Sequence, residues 1–243
     1  LGCAADFDQL RNRTCFFGKA GGPTVALVGD SHAGGLFPAV KAAIDRKGWG
    51  LNVYTKSSCP TGDVTRWLHG SDYTTCDHWR TWLFARLRAS PPDLVILAPS
   101  YNPEIVVVDP ATGHHQVGTA AQDAWVAGMR RTVSQLRALG SRVLILRDVP
   151  FAPFDVPTCL ARHRTAPAEC RFTRSSYVPQ REVTRGFSGV SYADYTSRFC
   201  RDRACLGAAD GIVVYRDDNH VTRTFAASLT DWFVDRLSAE LPS

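Results

Sequence analysis

Thr24-Val25-Ala26-Leu27-Val28-Gly29-Asp30-Ser31-His32 is the stretch on which the reading of this chain turns. A short apolar run without polar alternation predicts a central strand of a parallel sheet, buried on both faces. Gly29 permits a tight turn directly after it. Ser31 then opens a predicted helix, in which Phe37, Val40, Ala43 and Ile44 recur at helical spacing before Gly48 and Gly50 end it. In an open α/β sheet, ligands collect at the C-terminal ends of the strands, where helix N-termini also point. A serine there also has a plain structural use, as a helix cap.

The pattern continues outward from this unit. Leu51–Tyr54 reads as a second strand, and a helix over about 77–89 carries Trp79, Leu83, Phe84 and Leu87 on one side. Pro91-Pro92 stops it, and Leu94–Leu97 is a third strand. Val106–Val108 reads as an edge strand or a short hairpin. A long helix over 120–139, closed by Gly140, precedes a fourth strand at Arg142–Leu146; Val190–Ala193 is a candidate fifth. A single helix over 222–237 closes the chain. Alternating short strands and helical crossovers predict an α/β fold of three layers, with a doubly wound, mostly parallel sheet covered on both faces. Residues 1–243 read as a single domain, with a polar N-terminal strap over 1–22 and an irregular, disulfide-bearing insertion over 150–189.

The apolar and charged fractions, 44% and 21%, are those of an ordinary globular protein. No apolar run approaches the ~18 residues of a membrane span. No signal-peptide pattern opens the sequence, so a targeting segment is expected to have been removed or to lie upstream. The formal charge of +5 rests on arginine, with lysine only at 19, 41, 47 and 56. The arginines are scattered, which argues against a nucleic-acid partner. A mildly positive surface suits anionic glycans or lipid headgroups.

Eight cysteines fall in four locally close pairs, and nearest-neighbour pairing gives Cys3–Cys15, Cys59–Cys76, Cys159–Cys170 and Cys200–Cys205. No cysteine or histidine group has metal-site spacing, so no metal is expected. Disulfides at this density imply an oxidising compartment.

A serine hydroxyl becomes a useful nucleophile only when a base takes its proton. His32 adjoins Ser31 and is expected to orient the turn or pack locally. His114 and His115 follow Gly113 in a turn, and His163 lies in the arginine-rich insertion. His220 differs, because Asp217 stands three residues before it, with Asp218 as the fallback. One loop then carries a base and the carboxylate that fixes its tautomer. The structural alternative is a polar turn that caps the terminal helix.

Gly29-Asp30-Ser31-His32 and Asp217-x-x-His220 before a C-terminal helix resemble the first and last blocks of the SGNH hydrolases. The GDSH form, the disulfides and the Cys200/Cys205 pair are most similar to the SGNH domain attached to acyltransferase-3 membrane proteins, which modify bacterial surface glycans. The resemblance implies an SGNH-hydrolase (flavodoxin-like) fold, Ser31 as nucleophile, His220 as general base and Asp217 as its partner. It requires no cofactor. The glycine and asparagine blocks that supply oxyanion donors are replaced here by Lys56-Ser57-Ser58-Cys59 and Ser100-Tyr101-Asn102. The Ser31 N–H, Asn102, Ser100 and the Ser57/Ser58 backbone remain the candidate donors.

The expected function is extracytoplasmic O-acyl transfer, of acetyl in the first instance, through a Ser31 acyl-enzyme onto a cell-envelope glycan. The acyl donor would come from a membrane acyltransferase-3-type domain in the same polypeptide, and that domain would tether this one to the membrane. A secreted carbohydrate esterase with the same triad and a non-catalytic glycan-binding module are the alternatives.

Overall fold

A computed structural model describes residues 2–175 and 178–241, so that Leu1 of the strap and Ser176-Tyr177 of the insertion lie outside it. A seven-stranded sheet runs, among the described residues, in the order Ala4–Ala5, Gly50–Lys56, Thr24–Gly29, Leu94–Ala98, Arg142–Leu146, Val190–Ala193. All these neighbours pair in parallel. Phe16–Gly18 pairs antiparallel with Gly50–Lys56. Thr24–Gly29 therefore lies at the point where the strand order reverses, which opens a crevice at its C-terminal end.

The unalternating strand sequences are explained by burial on both faces. Leu94–Ala98 is buried at every position, and each fully buried Val, Leu or Ile contributes about 1.5–3 kcal/mol. On one face, the first helix, Ser31–Lys47, packs Leu36, Val40 and Ile44 against Phe225, Phe233 and Leu237. On the other, helices Thr74–Ala89 and Gly118–Ala138 bury Trp79, Trp125 and Met129. This is the expected three-layer α/β architecture. The four disulfides join the nearest-neighbour pairs Cys3–Cys15, Cys59–Cys76, Cys159–Cys170 and Cys200–Cys205.

Gly29 is demanded by close approach rather than by an unusual φ. A Cβ there would lie 2.4 Å from the Ala33 Cβ and 2.5 Å from the Ala98 carbonyl oxygen. Only a hydrogen fits between the strand end, the helix and the neighbouring strand.

Three expectations need correction. The strap is part of the sheet: Ala4–Ala5 and Phe16–Gly18 both pair with Gly50–Lys56. It is anchored by polar groups that its composition does not advertise. The buried Lys56 Nζ donates to the carbonyls of Asp6, Phe7 and Gln9 at 2.6, 3.0 and 2.7 Å. Asn12 donates to the Cys3 and Thr55 carbonyls at 2.6 and 2.7 Å and accepts from Trp79 Nε1 at 2.7 Å.

The insertion is not irregular throughout. It holds a helix at Val156–Arg162, a 3-10 turn at Pro167–Cys170, a strand at Arg171–Thr173 and a helical turn at Pro179–Val183. Asp155 caps the first of these by accepting from the Thr158 N–H at 2.8 Å, and Pro157 suits its first turn. The terminal helix is two, Arg223–Ser228 and Thr230–Glu240. The Ser228 and Thr230 hydroxyls each donate to a carbonyl three residues back, Phe225 and Ala227, at 2.7 Å. Such bonds compete with the helix ladder.

Val106–Val108 enters a separate antiparallel sheet with Thr65–Leu68, Ser71–Asp72 and His115–Gln116. Asn12→Ala should strand the Trp79 N–H and two buried carbonyls. The expected loss is about 2–4 kcal/mol in urea unfolding with the disulfides intact; an unchanged midpoint would contradict the anchoring role.

Candidate active site

Two local structures carry the candidate residues, and the fold brings them together. The first is the junction between the Thr24–Gly29 strand and the first helix. Asp30, buried beneath the turn, accepts the His32 N–H at Oδ1, 2.9 Å away, and caps the helix. Its Oδ2 accepts the Ser100 N–H at 3.0 Å and the Ser100 hydroxyl. The cap is thus Asp30, which leaves the Ser31 side chain free of that role. The second is the loop before Arg223–Ser228, closed by a bridge between Tyr215 and Val221 and by the Arg216 N–H on the His220 carbonyl at 2.9 Å. Asp217 Oδ1 accepts the N–H groups of Asn219 and His220 at 2.9 and 2.6 Å. The carboxylate thereby fixes the loop and its own direction.

Across 189 residues of sequence, His220 Nε2 meets Ser31 Oγ at 2.8 Å. His220 Nδ1 meets Asp217 Oδ2 at 2.8 Å. Asp217, not the fallback Asp218, is the carboxylate on the ring; the Asp218 carbonyl instead accepts the Ala152 N–H at 2.8 Å. With Nδ1–H donated to Asp217, Nε2 is left as an acceptor for the Ser31 hydroxyl proton.

The charges agree with that assignment. Burial and the positive charge of His32 hold the His220 pKa below its ordinary value, although Asp217 opposes them. Burial would raise the pKa of Asp217, but the Asn219 and His220 N–H groups and the His220 ring hold it low. At neutral pH the base is unprotonated and its partner ionised.

The oxyanion candidates are differently placed. Both donors of Ser100 are spent on Asp30. Asn102 turns its Oδ1 to the Glu104 N–H at 2.8 Å. Ser58 occupies the left-handed region, with φ +52°, a conformation in which glycine is at ease and serine is not. Its carbonyl accepts from Arg66 at 3.0 Å. Strand register sets Gly29 opposite Thr55, with Ser57 two residues further on, and the Ser57 N–H donates to the Ala5 carbonyl at 3.0 Å. The Ser31 N–H belongs to the first turn of its helix, whose donors have no intrahelical acceptor.

Ser31 and Ser57 open into a groove of about 800 Å³ that follows the first helix past Gly34, Gly35 and Pro38, with Arg216 and Arg223 among its lining. Another groove of about 730 Å³, between the small sheet and the other two long helices, holds none of the candidate residues.

No motif in the sequence singles out Asp148 or Arg66, and His32, expected to orient the turn or pack locally, has a specific buried partner. His32 Nδ1 bonds Asp148 Oδ1 at 2.6 Å, and its ring meets that of His220 edge-on at 4.8 Å. The position of Asp148, just past the Arg142–Leu146 strand, was the available signal.

Labelling of Ser31 by a serine-directed phosphonofluoridate should depend on neutral His220. Because the folded pKa is lowered, the neutral base persists below the ordinary 6.5 and is lost only as pH falls further. The acidic limb of the labelling rate should therefore have its midpoint below pH 6.5. Asp217→Asn should slow labelling by about 10³–10⁴-fold, through loss of the correct tautomer.

A periplasmic-domain structure of a lipopolysaccharide acetyltransferase from Salmonella ser. Paratyphi A is similar to this chain at 17% identity. The match covers 90% of this chain and 85% of that one, with a TM-score of 0.65. A GDSL-like lipase from Bacteroides thetaiotaomicron aligns over 88% of each chain at 13% identity and a TM-score of 0.46. No curated protein matches the sequence. Residues 2–235 match the family described as the SGNH domain fused to AT3 domains. With the sheet order and the strand-end serine already in place, that match settles the affiliation: the chain belongs to the AT3-associated SGNH domain family.

Proposed function

We propose that this domain is an extracytoplasmic O-acyltransferase that passes an acyl group, acetyl in the first instance, through Ser31 to a cell-envelope glycan. The observation that carries the reading is the unbroken line Asp217–His220–Ser31, with both contacts at 2.8 Å, at one end of an open groove. Membership of a family fused to AT3 domains supports acyl transfer rather than another serine chemistry. So does the likeness to a lipopolysaccharide acetyltransferase periplasmic domain. The four disulfides support an oxidising compartment. No helix among the described residues is long and apolar enough to cross a membrane. In this reading the donor arrives from a membrane acyltransferase domain of the same polypeptide.

Ser31 Oγ attacks the donor's acyl carbonyl while its proton passes to His220 Nε2. The Ser31 N–H and the Ser58 N–H stabilise the developing oxyanion, the Ser57 N–H being held by the Ala5 carbonyl at 3.0 Å; loss of one such donor typically costs about 3–4 kcal/mol. Collapse expels the donor's leaving group, which takes the proton from His220, and leaves an ester on Ser31. A sugar hydroxyl then attacks that ester and gives its proton to His220. The second collapse returns the proton to Ser31 Oγ and releases the acylated sugar. The same ester opened by water would make the domain a carbohydrate esterase. The groove's arginines, Arg216 and Arg223, favour an acceptor bearing negative charge.

The test is turnover of p-nitrophenyl acetate by wild type and Ser31→Ala, with and without anionic glycan oligomers. Expected are Ser31-dependent release, an acetyl adduct on Ser31 by mass spectrometry, and faster release with acceptor accompanied by acetylated sugar. Release that acceptors leave unchanged would select the esterase. A folded protein without any Ser31-dependent release would point to a glycan-binding module.

A further inference from the structure

One buried pair of titratable groups touches the proposed base yet takes no part in the proton transfer just described. Asp148 Oδ1 lies 2.6 Å from His32 Nδ1 and also accepts the Val149 N–H at 2.8 Å. Its Oδ2 accepts the Tyr101 N–H at 2.6 Å. The two side chains are only 6% and 9% exposed. Behind the pair, Phe151 stacks on the His32 ring at 5.6 Å. In front, the His32 ring meets His220 edge-on, with centroids 4.8 Å apart and planes at 61°. His32 thus stands between a carboxylate fixed by two backbone donors and the ring that faces Ser31.

A buried ion pair is a poor way to stabilise a fold, since apolar groups of the same shape often do as well or better. An apolar ring at position 32 would pack against Phe151 and His220 without burying charge. The placement suggests a task. Burial would strip the proton from His32, but the Asp148 carboxylate, aided by Asp30 and Asp217, holds it with a pKa of about 9. His32 is then a cation at neutral pH. The other charged groups that act on His220 are Asp217, which favours its protonation, and Arg216, which opposes it.

We propose that His32 and Asp148 are a second histidine–carboxylate pair that positions the His220 ring and drives it to release the proton it takes from Ser31. The inference rests on His220 as the base. When His220 becomes an imidazolium, a second positive charge stands against its edge, which favours onward transfer to the leaving-group oxygen. His32 keeps its own proton throughout and is a positioning residue.

The experiment is histidine-ring NMR titration of the whole domain with its disulfides formed, with His220 assigned through His220→Gln and His32 through His32→Asn. In the unmutated protein His32 should titrate near 9, and a midpoint at or below 6.5 overturns the proposal without recourse to any variant. In His32→Asn and in Asp148→Asn the His220 midpoint should rise by roughly one pH unit. The acidic limb of Ser31 labelling should move with it. A merely structural role would slow labelling at every pH and leave both midpoints in place, and that result overturns the proposal. Shifted midpoints in a protein without Ser31-dependent turnover would uphold the pair and dismiss the acyltransfer reading instead.

Discussion

The Ala98 carbonyl and the Ala33 Cβ approach Gly29 so closely that a side chain there would overlap both. That contact lets the Thr24–Gly29 strand pass straight into a helix beneath which Asp30 is buried. Asp30 then reaches sideways to Ser100 and upward to the His32 N–H, which ties the junction to the loop after Leu94–Ala98. Ser31 is exposed to the groove because its predecessor does the capping and its neighbour strands are locked below it. Without the close approach, the serine would have no fixed position against a histidine 189 residues away.

Carboxylates that accept backbone N–H groups recur along this edge of the sheet. Asp30 joins two strand ends, Asp148 ties the end of a third, Arg142–Leu146, to the same two through Tyr101 and His32, and Asp217 folds its own loop. Each is an acceptor whose oxygens are oriented before any ligand arrives. Preorganised charge of this kind needs no rearrangement when charge develops in a reaction. It also explains why a chain of +5 formal charge keeps acidic groups at its strand ends: they are structural pins as well as partners for histidines.

Much of this could be read from local pattern. Thr24–Gly29 and Leu94–Ala98 are recognisable because burial on both faces leaves an uninterrupted apolar run. Asp217 and His220 declared themselves because both lie in one short loop. The disulfide neighbours were close in the chain. Illegible were features made by distant partners. Phe16–Gly18 lies within an otherwise polar N-terminal segment, yet its backbone pairs with the edge of Gly50–Lys56. Ser100 sits where counting expects an oxyanion donor, but its hydrogen bonds go to Asp30, 70 residues away.

The amino-acid order therefore settled the alternation of strands and helices, the strand-end serine and the base-bearing loop, since periodicity, turn residues and short spacings are local properties. Which groups meet across the sheet's edge was decided only by folding. Asp148 and His32 are 116 residues apart, and nothing in the neighbourhood of either predicts the other. Their contact exists because parallel strands end at the same edge, which brings the residues just past each strand together however far apart the chain holds them.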